Sequence, residues 1–159
     1  MSAEAKQALF DGMDERRQRA LAIVEQAGPD CVVHLDTGWT VKDLVAHLTL
    51  WERVSLETLL HASRGERYFV EGLNNGLDAF NNADRERCLN FSMEQVMADW
   101  ADIREQLKQA LADIPDVSWE TPIKTIWARE PIPPAQLVKG MGVHEKHHIS
   151  EIEAVLNSA

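Results

Sequence analysis

Cysteine is scarce in this chain. Cys31 and Cys88 are the two present, and they form no C-x-x-C pair. Two cysteines build no disulfide framework. Both are expected to be reduced, in a cytoplasmic protein, with a single disulfide as the alternative. Long apolar runs are also missing, and none approaches the roughly 18 residues of a membrane span. The opening residues MSAEAKQALF contain no apolar core segment, so no signal peptide is expected. Positive charge is outweighed: 16 Lys and Arg stand against 26 Asp and Glu, for a net charge of −10. A nucleic-acid surface needs clustered Lys and Arg, so this class is disfavoured. The one basic cluster, ERRQR from Glu15 to Arg19, falls on a predicted helix and reads as a solvated face. Repeats, low-complexity tracts and linkers are absent, and the 159 residues read as one domain, 1–159.

What the chain does have is helical periodicity. A first helix is expected over about Ala3 to Ala27, with a stripe through Phe10, Met13, Arg17, Ala20 and Val24, ended by Gly28-Pro29. A second follows Thr40 as N-cap, with Asp43 in its first turn and Gly65 as its stop. Leu44, Leu48, Trp51 and Leu59 mark its face. A third begins at Ser92, which forms a capping box with Gln95. Its narrow seam runs through Val96, Trp100, Ile103 and Leu107 towards Pro115. A fourth starts near Pro133-Pro134 and carries Leu137, Met141, His144, His148, Ile152 and Val155.

Four such helices predict an all-α four-helix bundle. The connection from Glu66 to Phe91 is about 26 residues, long for a bundle turn. A crossover of that length makes helices two and three parallel, giving up-down-down-up topology. The alternative is a surface excursion in an ordinary up-down bundle.

The segment HEKHHISEIEA, His144 to Ala154, fits H-E-x-x-H, the zinc helix of many proteases. The third ligand of that class is missing. Glu151 and Ala154 stand where the glycine and the histidine of the longer motif belong. The eleven residues after His148 leave no room for a further ligand helix. Glu145 is therefore read as a chance match facing solvent. His144 and His148, four apart, share one helix face and make a good part of a metal site. Taken singly, each could instead be a hydrogen-bonded core histidine. His47 lies on the apolar face of the second helix, roughly 10 Å from its start, and His148 roughly 14 Å from the end of the fourth. If those helices are antiparallel, the three histidines reach a similar level. His34 and His61 are assigned no role in the site, and His147 reads as exposed or substrate-facing.

GWTVKDLVAHLTLWE (Gly38 to Glu52), LDAFNNA (Leu77 to Ala83) and the terminal H-x-x-x-H resemble, in this order, blocks of the DinB / YfiT-like metalloenzymes. The resemblance implies an up-down-down-up bundle and a divalent metal held at His47, His144 and His148, and makes a homodimer plausible. It implies thiol-dependent transferases and isomerases or hydrolases; the family's name does not imply DNA binding, and the acidic balance agrees. Three neutral imidazoles leave a coordination position open, as catalytic sites do. The expected cofactor is Zn, Ni, Fe or Mn, with a low-molecular-weight thiol or water turned on a small electrophilic substrate. Glu52 and Glu151 are candidate acid/base or ligand-orienting groups. Trp51 and His147 are candidate substrate contacts, although Trp51, Trp39 and Trp100 could equally fill the core. A metal- or ligand-binding module without turnover, protective under stress, is the alternative.

Overall fold

The structure is a computed structural model and describes residues 1–126 and 128–158. Helix α1 spans Ala3–Ala27, with the Ser2 hydroxyl accepting from the Ala5 amide and Gly28 ending it at φ +77°. A short antiparallel hairpin, β1 (Val32–His34) and β2 (Trp39–Thr40), leads into α2, Val41–Ser63. Thr40 and Asp43 form a full capping box at its start. Helix α3, Leu77–Cys88, lies within the long connection, α4 covers Met93–Ala112, and α5 covers Pro134–Leu156. The Ser92–Gln95 capping box opens α4, and proline occupies the first turn of α5, where a missing N–H costs nothing.

The packing settles the topology. One core cluster joins Ala20 to Val24, Val41 to Leu48, Val96 with Trp100, and Ile149 with Ile152. The other joins Met13, Leu56 with Leu59, Ile103 to Leu111, and Leu137 with Val138. Chain direction from one cluster to the other is the same for α2 and α4, and opposite for α1 and α5. The bundle of α1, α2, α4 and α5 is therefore up-down-down-up, as expected.

The crossover has structure that periodicity did not reveal. Helix α3 runs back against α2, tied by Arg85 to Asp43 at 3.1 Å and by Trp51 Nε1 donating to Asn81 Oδ1 at 3.2 Å. This returns the chain to the level of Val41, where α4 begins.

A polar layer separates the two apolar clusters. Each bundle helix gives it one side chain: Arg17 from α1, Glu52 from α2, Arg104 from α4 and Glu145 from α5. Arg17 Nε donates to Glu145 Oε1 at 3.1 Å and its Nη2 to Glu52 Oε1 at 2.6 Å. Arg104 donates to both carboxylates, through Nε to Glu52 Oε2 at 3.1 Å and through Nη2 to Glu145 Oε1 at 2.9 Å. Two expectations are corrected here. Glu145, read as facing solvent, is 3% exposed. Arg17, which lies on the helix stripe but also in the ERRQR cluster read as a solvated face, follows the stripe and turns inward, its guanidinium carbon 3.6 Å from the centre of the Trp100 ring. The physical reason is neutralisation: two guanidiniums and two carboxylates offset one another, which a buried charge requires.

Candidate metal centre

His47 sits in the second turn of α2, held by the hairpin and capping box that fix where the helix begins. His144 and His148 are one turn apart on α5. Because α2 and α5 are antiparallel, the early part of one meets the late part of the other. The His47 and His148 Nε2 atoms each lie 3.1 Å from His144 Nε2. The three ligand atoms fall within 4.8 Å of one another. Two nitrogens bound at about 2.0–2.1 Å to one ion stand roughly 3 Å apart, so the spacing fits.

Proton counting makes the same point. Glu151 Oε2 lies 2.7 Å from His148 Nδ1, and a carboxylate can only accept, so Nδ1 carries the proton. The His148 Nε2 then presents a lone pair. His144 Nε2 has two nitrogen neighbours and at most one proton to give. The Nε2 atoms of His47 and His148 both converge on that of His144. A cation at that point would meet lone pairs from all three rings. His47 Nδ1 is itself buried with no hydrogen-bond partner among the described residues.

The rings are held neutral, as ligation requires. Burial, then the nearby His148 and His144, push His47 from 6.5 down to about 3. Burial, then His148 and His147, push His144 down to about 4. Burial lowers His148 as well, partly offset by its Glu151 hydrogen bond. Burial alone would raise the Glu151 carboxyl, but the His148 contact outweighs it and holds the group below its usual value.

Around the trio, Trp39 and Trp51 meet the His47 ring at centroid distances of 5.6 and 6.2 Å. Trp51 also packs on Phe80 of α3 at 5.5 Å, so the LDAFNNA segment braces the site. Trp100 lies in the core beneath Arg17 rather than at the site. His147 is exposed, with Nε2 3.5 Å from Glu151 Oε1. Both oxygens of Glu52 engage arginines of the polar layer. His34, assigned no role from sequence, lies in β1 with Nε2 3.3 Å from Glu151 Oε1 and its ring 6.2 Å from Trp39. Helical periodicity carries no information about a strand residue; the D-T-G turn of HLDTGW was the available signal for the hairpin. His61 stays outside the site, bonded to the Glu57 carbonyl at 2.8 Å.

Among the described residues no helix is long and apolar enough to cross a membrane. No curated protein and no solved structure matches the chain significantly. A family model described as the DinB superfamily matches residues 13–152. That span takes in α2 and α4, most of α1 and α5, and every histidine of the trio, and the chain belongs to the DinB superfamily.

Proposed function

We propose that this protein is a divalent-metal-dependent enzyme, a thiol transferase or hydrolase acting on a small electrophilic molecule. The observation that carries the reading is the convergence of three Nε2 atoms, those of His47 and His148 each 3.1 Å from that of His144. His47, His144 and His148 would hold the ion, and Zn, Ni, Fe and Mn all suit imidazole ligands. When bound there with a position open, such an ion supplies Lewis-acid activation of a thiol or water.

The chain's own residues do the rest. Glu151 orients His148 through the Nδ1 proton, as carboxylates do behind metal-binding histidines. Its second oxygen faces His34 and His147, which places it to hold or pass a proton at the mouth of the site. Trp51 and Trp39 fix the His47 ring. Glu52 is assigned to the polar layer rather than to the reaction. Both cysteines are free, which supports a cytoplasmic location, and the homodimer implied by the resemblance is part of the proposal.

The test uses untagged protein, reconstituted and assayed for bound Ni, Zn, Fe and Mn beside His47→Ala and His148→Ala. Near-stoichiometric metal in the wild type and its loss in both variants is the expected outcome. Equally low metal in all three assigns the histidines to the core. Turnover of electrophiles with added thiol or water separates the enzyme from a binding module.

A further inference from the structure

The histidine centre stands in a wall between two cavities, one of them more polar than the other, which share Trp51, His144 and His147. The first, about 420 Å³, is bounded by Leu48, Ile132, Leu137, Met141 and Val143. Glu52 and Glu145 reach its wall, but their carboxylates are bound to Arg17 and Arg104. Among the described lining residues there is no Lys or Arg. The second cavity, about 590 Å³, adds His34, Thr37, Asp78, Asn81 and Asn82 to apolar walls of Trp39, Leu44 and Leu77.

We propose that the 420 Å³ cavity is the chamber for an uncharged, predominantly apolar organic substrate, with its reacting end at His144, and that the polar cavity admits the thiol or water. The location of the reacting end rests on the metal reading above; the selectivity of the chamber does not. A charged ligand entering the apolar chamber loses its hydration and meets no counter-charge, a heavy cost. A neutral apolar ligand removes its own surface and that of the aliphatic wall from water, which is favourable. The volume is in the range of small-molecule sites. The polar layer matters here too. Without its arginines, Glu52 and Glu145 would bring negative charge to the chamber wall.

Gly140 provides the variant. It lines this chamber, and a Cβ built on it meets nothing within 4 Å. Gly140→Leu places its Cβ in open space, at a helical position where glycine is a poor helix former. Calorimetric titration of the full chain, as purified and after metal removal, would compare three probes of one skeleton: 3-phenylpropan-1-ol, 3-phenylpropanoate and 3-phenylpropylammonium. In the metal-free protein the alcohol is expected to bind at least tenfold tighter than either ion. Gly140→Leu is expected to weaken the alcohol at least tenfold and to leave metal content unchanged. Equal affinity for the ions, undiminished binding in Gly140→Leu, or no binding of the alcohol overturns the proposal. Selective alcohol binding by a chain that holds no metal sustains this chamber while sinking the metal reading.

Discussion

His148 keeps its proton on Nδ1 because Glu151 accepts it there, and that single tautomer decides what the trio can do. Glu151→Gln should preserve the helix but lower metal affinity about tenfold, since residues behind metal ligands typically contribute that much. Competition against a chelating dye measures it, and unchanged affinity would remove Glu151 from the site. The depressed histidines also set a pH dependence. In the unfolded chain His47 returns to its ordinary 6.5, while in the folded protein it stays neutral down to about 3. Between those values the unfolded state binds more protons, so stability falls as pH falls through the window. Metal-free protein should lose thermal stability from pH 7 to pH 4.5, and His47→Gln should lose less. Parallel melting-temperature profiles for the two proteins would contradict this. At this scale the sequence was partly legible. His47, His144 and His148 stood out because each occupies a helical stripe. Glu145 was misread because its helix position alone does not show that two arginines from other helices wait for it.

At the scale of elements, caps and breakers were the most readable feature. Thr40 with Asp43 and Ser92 with Gln95 are local signals, each satisfying amides within one turn. Thr40→Ala should cost about 1 kcal/mol, by denaturant unfolding, as loss of such a cap typically does. Helix α3 and the β1–β2 hairpin were not read from the sequence. Helix α3 buries a single residue, Cys88, so it shows little apolar period, and the two strands are too short to alternate visibly. The polar layer joins four elements at once. Glu145→Ala leaves Arg17 and Arg104 short of a carboxylate in the interior, and should destabilise the fold by about 3–5 kcal/mol. Circular dichroism melts of Glu145→Ala beside an exposed control, Glu4→Ala, would check it. A loss no larger than the control's would mean the layer contributes little.

For the whole molecule, the site joins α2 to α5, so what binds there stabilises the bundle as a unit. A ligand at a hundred times its dissociation constant adds about 2.7 kcal/mol. In a domain of this size that corresponds to a rise in melting temperature of roughly 5–10 °C. Calorimetry with and without the bound divalent ion should show that rise and its reversal by chelator. No shift at saturation would mean that the ion does not bridge the helices.

The sequence by itself determined where the bundle helices begin and end, that one turn separates His144 from His148, and that a long connection lies between α2 and α4. These follow from interactions within a few residues of one another, which composition and spacing record. Only the tertiary structure decided that His47 meets a pair 97 positions away. It alone brought His34 to Glu151, turned Glu145 inward, and opened an apolar cavity and a more polar one on either side of the histidines. Each of these depends on which surfaces face one another after the chain crosses back along α3, and a single residue's neighbours in sequence carry no trace of that.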